Sequence, residues 1–237
     1  MENNLTQRIE NYWDKRSEKF SRVRRREISG EDFAAWSKII SARLPAGKNL
    51  RVLDVGTGAG FFAVLFSKLG CEVVGIDTSS KMLREAEKNI RELNCRAEFK
   101  KMNAQDLIFP DENFDVVISR NLTWTLPDAM QAYREWCRVL KSGGVLMNFD
   151  SDYGDKNFTN ETTCAKSDVE EEMLIECNAI KNSLRISTHT RPRWDAELLE
   201  SFGLKVFVEE DIAPLVHRDK NLDYDSVPLF FILATRD

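Results

Sequence analysis

Between Leu53 and Phe62 the chain runs Leu-Asp-Val-Gly-Thr-Gly-Ala-Gly-Phe-Phe, an apolar run that passes directly into glycines at alternate positions. Glycines there let the backbone turn tightly and approach a ligand closely. Two nucleotide-binding patterns use such a turn; the sequence weakens the first and fails the second. A dinucleotide fingerprint needs Gly or Ala three residues after Gly58, where Phe61 stands, and a phosphate-binding P-loop needs Lys and Ser/Thr after its last glycine, where Phe61 and Phe62 stand. Asp77 closes the next apolar run, 17 positions after Gly60. A carboxylate in that place accepts hydrogen bonds from a vicinal diol and repels a phosphorylated ribose, so it selects an unphosphorylated nucleoside. Taken singly, a glycine turn is ordinary loop punctuation and an Asp after a strand is an ordinary helix cap.

These residues need a scaffold that brings strand ends together. Short β-branched runs at 51–55, 72–76, 97–101, 114–119 and 145–149 alternate with helical periods, the pattern of a parallel sheet with crossover helices. One helix follows the cap candidates Thr78 to Ser80 and carries Met82, Leu83, Ala86, Ile90 and Leu93 at helical spacing. Another opens at Pro127 and stops at Gly143-Gly144. Two amphipathic helices precede the first strand, with Leu5, Ile9, Tyr12 and Trp13 in one and Phe33, Trp36, Ile39, Ile40 and Leu44 in the other. Residues 151–190 interrupt the rhythm as an acidic, helical insertion, and a helix ending at Gly203 then leads to two final strands able to pair antiparallel. The expectation is one α/β fold: a Rossmann-like, seven-stranded, mostly parallel sheet with helices on both faces. Its parts are a helical N-terminal lid (1–49), a core (50–150), a cap insertion (151–190) and the C-terminal part of the core sheet (191–237).

With the glycine turn, Asp77 and this strand order in place, the sequence resembles the class I S-adenosylmethionine-dependent methyltransferases. Asp54-Val-Gly56-Thr57-Gly58-Ala-Gly60 is similar to the family's first motif, and Gly75-Ile-Asp77-Thr78-Ser-Ser-Lys-Met82 to its second-strand motif. Asn103-Ala104-Gln-Asp106 resembles the adenine-holding segment, Phe114 to Arg120-Asn121 the fourth strand and its end, and Arg138 to Gly144 the turn before the fifth strand. The resemblance implies S-adenosylmethionine as cofactor and S-adenosylhomocysteine as product. It also implies cofactor contacts from Asp54, Gly56, Thr57, Gly58, Gly60, Asp77, Thr78, Met82, Asn103, Ala104 and Arg120. Asn103 departs from the Asp common in the family, and its amide oxygen accepts the same bond without charge assistance. Asp106 is a site residue or the cap of the next turn. Trp13 and Phe20 sit in a segment like the leader helix of small-molecule members, and either cover the cofactor or simply pack that helix.

Methyl transfer from a sulfonium requires alignment and exclusion of water, with no metal. A hydroxyl or ammonium acceptor also requires a base. Asp150 and Tyr153, just past the fifth strand, and His189, at the end of the insertion, are the candidates. Asp150 serves equally well as a loop cap, and His189 as a satisfied loop histidine. The other histidine, His217, carries less signal.

Composition narrows the partners. Over 237 residues, 34 Lys and Arg against 39 Asp and Glu give a net charge of −5, which disfavours bulk nucleic-acid binding. The basic cluster Arg22, Arg24, Arg25 and Arg26 is a solvated helix face expected to pair with Asp168, Glu170, Glu171 and Glu172. Cys71, Cys95, Cys137, Cys164 and Cys177 are odd in number and form no C-x-x-C pair, which suggests a reducing, cytoplasmic setting without a disulfide framework. A polar N-terminus and the absence of any long apolar run point to a chain without signal peptide or membrane span. The function expected is methyl transfer to a small molecule. Non-catalytic cofactor binding and an NAD-type oxidoreductase on a related fold are the alternatives.

Overall fold

The structure, a computed structural model, describes residues 2–47, 49–159, 170–222, 224 and 226–237. The apolar runs form β1 (Arg51–Val55), β2 (Glu72–Asp77), β3 (Glu98–Lys101), β4 (Phe114–Arg120) and β5 (Leu140–Asp150). After them come β6 (Lys205–Glu209) and β7 (Phe230–Thr235), in one seven-stranded sheet of order β3-β2-β1-β4-β5-β7-β6. All pairs up to β5 are parallel, and β7 runs antiparallel to both β5 and β6. The chain winds outward from β1 in one direction and returns to β4 on its other side. The crevice at the carboxyl ends of β1 and β4 is therefore the place where this topology accepts a ligand.

The strands are apolar on both faces because helices cover both. On one face Leu53, Val55, Val117 and Leu146 pack with Tyr133 and Trp136 of α5 (Ala129–Val139), Ile180 of α6 (Glu171–Ser183) and Leu199 of α7 (Arg193–Ser201). On the other, Val52, Val116, Ile118 and Met147 pack with Trp36 and Ile40 of α2 (Glu31–Ser41), Phe61 to Phe66 of α3 (Phe61–Lys68) and Val216 of α8 (Ala213–Val216). α4 (Ser80–Glu92) begins where Ser79 accepts a hydrogen bond from the Met82 amide. The first helix, α1 (Glu2–Ser29), breaks at Gly30 and lies against α4, α2 and α6.

Two local expectations change. α5 starts at Ala129 under an Asp128 cap, one turn-residue beyond Pro127, and ends at Val139. Gly143 and Gly144 do not stop that helix but belong to β5, because Gly143 donates to Arg236 and Gly144 accepts from it across the adjacent chain end. Among the described residues the basic cluster has partners outside the acidic insertion. Arg24 pairs with Glu27, Arg25 with Glu92 and Asn89, and Arg26 with the Asn221 carbonyl, since the rest of α1 faces α4 and the C-terminal loop. Of the expected acidic partners, Glu170 meets Lys19 at 3.8 Å, and Asp168 lies outside the described residues, as does Cys164. Among the described residues no helix is long and apolar enough to cross a membrane.

Candidate active site

The glycine turn is held open by its own hydrogen bonds. Thr57 donates its amide to the Ile76 carbonyl at 2.9 Å and its hydroxyl to Asp54 at 2.6 Å, which fixes the loop to the neighbouring strand. Gly56 has φ +67°, and a Cβ there would sit 2.8 Å from the Leu122 side chain. Gly58, also left-handed, donates its amide to Asp77 at 3.0 Å, while Ser79 donates to the other carboxylate oxygen at 2.8 Å. Burial outweighs these donors, pushing Asp77 up to about 6 and Asp54 up to about 7.

A cavity of about 480 Å³ opens above these strand ends. Of the residues expected at the cofactor, Asp54, Gly56, Thr57, Gly58, Asp77, Thr78, Met82, Asn103, Ala104 and Arg120 line it, and Trp13 and Phe20 line it from α1. Phe20 reaches the loop closely: a Cβ on Gly58 would lie 3.1 Å from its ring. Gly60 is not on the wall. It sits at the start of α3 with φ +83°, and its missing side chain makes room for Ala86 of α4, so its role is helix packing. Asp106 is exposed and off the wall.

Arg120 ends β4 and meets Glu27 of α1 in two bonds of 2.8 and 3.2 Å, with its guanidinium 4.6 Å from the centre of the Trp36 ring. Glu27 is fully buried, and the paired guanidiniums of Arg120 and Arg24 hold it ionised against the burial that opposes ionisation. This buried pair ties the roof helix to the sheet.

The three base candidates separate. Tyr153 lines the cavity in an aromatic cluster with Trp124 and Phe158, at centroid distances of 5.0 and 4.9 Å. Asp150 does not reach it. Its fully buried carboxylate accepts from the Thr123 hydroxyl, the Trp124 amide at 3.0 Å and Arg191 at 3.3 Å, so it anchors the 3-10 turn Thr123–Thr125 that carries part of the wall. His189 is also off the wall and stacks on Trp194, at 4.4 Å between ring centres. His217 stacks on Tyr224, and burial together with the Arg120 charge lowers it to about 4.

Other wall residues were not among those expected at the site. Tyr12, Lys15 and Arg16 come from α1, Asn121, Leu122 and Trp124 from beyond β4, and Phe158, Met173 and Cys177 from the insertion. Asn121 is the one a local clue could have found. It directly follows β4, adopts φ +53° and leaves its side-chain carbonyl oxygen buried without a partner. Among the described residues no group of His, Cys, Asp and Glu side chains is arranged to hold a metal ion.

The sheet order sets this cavity at the switch point of an α/β core, and part of that core is similar to known proteins. Residues 53–148 match the model of the methyltransferase domain family. The uncharacterized methyltransferase YcgJ of Bacillus subtilis is 34% identical over 122 residues, 51% of this chain and 47% of that protein. The demethylmenaquinone methyltransferase of Listeria monocytogenes is 34% identical over 128 residues, 52% of this chain and 54% of that one. These matches span about half the length of either partner. A Thermotoga maritima structure described as a possible histamine N-methyltransferase superposes with a TM-score of 0.64 at 19% identity, covering 97% of this chain and 100% of that one. Over residues 53–148, then, the chain is similar to the methyltransferase domain family.

Proposed function

We propose that this protein transfers the methyl group of S-adenosylmethionine to a small-molecule acceptor inside the covered cavity. The observation that carries this reading is the convergence of Asp54, Asp77, Asn103 and the Gly56–Gly58 backbone on one cavity roofed by α1. The residues fit such a cofactor. The Gly56–Gly58 loop lines the cavity, two carboxylates face it, and the unpartnered Asn121 oxygen awaits a donor.

In this reading Asp77 accepts from the ribose hydroxyls, and Asn103 and Ala104 border the adenine. Asp54 faces the amino-acid end, where a neighbouring ammonium group favours its ionised form. When bound, the cofactor supplies a methyl group already activated by a positively charged sulfur. Trp13 and Phe20, edge to face at 5.8 Å, present aromatic surface that attracts positive charge and excludes water. Residues 1–49 then act as the lid, 50–150 with 191–237 as the cofactor-binding sheet, and 151–190 as the cap that completes the acceptor side. Asp150 supports the Trp124 turn and takes no proton from the acceptor, because every approach to its carboxylate is filled by protein donors. Of the three candidates Tyr153 alone lines the cavity, which supports it as the one that touches an acceptor. The net negative charge favours a metabolite over a nucleic acid.

Titration calorimetry with S-adenosylhomocysteine tests the binding half, with micromolar affinity expected and NAD giving no heat. Formation of S-adenosylhomocysteine from S-adenosylmethionine in the presence of a metabolite extract tests the transfer half. A protein that binds without ever forming product is a sensor and not an enzyme.

A further inference from the structure

The acceptor side of the cavity has its own chemistry. Trp124, Tyr153 and Phe158 pack against one another at 4.9 to 5.2 Å between ring centres, and Tyr12 and Cys177 face them from α1 and α6. Within this apolar compartment stands one half-buried cation, Arg16. Its guanidinium donates to the Tyr12 hydroxyl at 2.8 Å, and no carboxylate pairs with it among the described residues. Tyr12 and Cys177, the ionisable groups beside it, are both raised by burial and stay neutral at physiological pH. Two acids of the insertion are spoken for: Glu176 forms a bidentate pair with Arg8, and Glu170, on the same cavity wall, meets Lys19. Lys181, the other cation near Cys177, is turned to the Gly154 carbonyl. A guanidinium set in aromatic surroundings without a counter-charge binds an anionic oxygen well, because the low-dielectric walls strengthen the pairing and its planar fork matches an oxyanion.

We propose that the methyl acceptor is a flat, largely apolar aromatic molecule bearing one anionic oxygen group, with its ring against Trp124, Tyr153 and Phe158 and its charge on Arg16. This rests on reading the cavity as a methyl-transfer site. It assigns Arg16 and Trp124 to acceptor selection and leaves cofactor binding to the strand ends.

The test uses the full chain saturated with S-adenosylhomocysteine and titrates benzoate, 2-naphthoate, the neutral isostere 2-naphthamide, and succinate. Expected is binding of at least one aromatic carboxylate, with naphthoate about tenfold or more tighter than naphthamide and succinate silent. Arg16→Met brings naphthoate down to the level of naphthamide, and Trp124→Ala weakens both rings alike. Neither substitution alters the affinity for S-adenosylhomocysteine, which also certifies that both variants are folded. The proposal is overturned if neither aromatic acid binds the loaded protein, if Arg16→Met leaves naphthoate unaffected, or if succinate matches the aromatic acids. Failure of S-adenosylhomocysteine itself to bind the unmodified chain instead removes the underlying cofactor reading, so the two failures are distinct.

Discussion

The floor and the roof of the cavity are built on opposite principles. The floor is backbone and buried carboxylate: Asp54 and Asp77, each fixed by hydrogen bonds from a loop that cannot carry a Cβ at Gly56. The roof is side chain: aromatic rings and cations on α1 beside Met173, Leu174 and Cys177 of α6, with α1 joined to the sheet by the Glu27–Arg120 pair and to α4 by the Asp14–Ser79 hydrogen bond of 2.5 Å. Backbone geometry tolerates few sequences and suits an invariant ligand part. Side-chain walls change cheaply and suit selection among acceptors.

That contrast breaks most easily at its joint. Glu27→Ala strands the Arg120 guanidinium without its carboxylate at a site where Glu27 itself is fully buried, and it is expected to lower stability by about 3–5 kcal/mol in urea unfolding. Asp77→Ala reverses the balance of effects. It is expected to weaken S-adenosylhomocysteine about a hundredfold in calorimetry, through loss of charge-assisted bonds, while leaving the ligand-free fold as stable or more so. Asp150→Asn lies between, since it weakens the bond to Arg191 and the anchor of the Trp124 turn. A loss of about 1–3 kcal/mol in stability is expected, with little change in cofactor affinity.

The pH dependence sharpens the same division. Asp77 at about 6 and Asp54 at about 7 lie above their unfolded values, so the native state holds more protons than the unfolded chain between about pH 4 and 7. Stability of the ligand-free protein attributable to these groups therefore falls as pH rises through that window. Affinity for S-adenosylhomocysteine rises over it, because the ribose and ammonium groups favour the ionised carboxylates. Calorimetry in buffers of different ionisation enthalpy should detect proton release on binding near pH 6, and a pH-independent affinity would remove both aspartates from the contact. The smallest effect is expected at His189→Ala, within about 0.5 kcal/mol in stability and without change in binding, since that ring only stacks on Trp194.

The legible parts were those with short-range causes. β1 and its glycine turn, Asp77 after β2 and the Ser79 cap are set by neighbours within a few positions, so strand propensity, left-handed backbone and capping mark them in the chain itself. Gly60 misled because helix packing and ligand approach both exclude a Cβ, and only the position of Ala86 tells them apart. Asp150 and His189 misled for a related reason: residue type announces titration, while burial by Arg191 and Thr123, or stacking on Trp194, decides what that titration meets.

From its residues alone the chain determines a doubly wound sheet and a strand edge that carries the glycine turn and Asp77, because both follow from local periodicity and local backbone geometry. The tertiary structure alone decides which side chains face the edge across the cavity. Arg16 and Cys177 come within each other's field from distant positions in α1 and α6, and Asp150 turns inward to Arg191. Such meetings depend on how helices settle over a sheet, a many-body packing outcome that no stretch of sequence carries by itself.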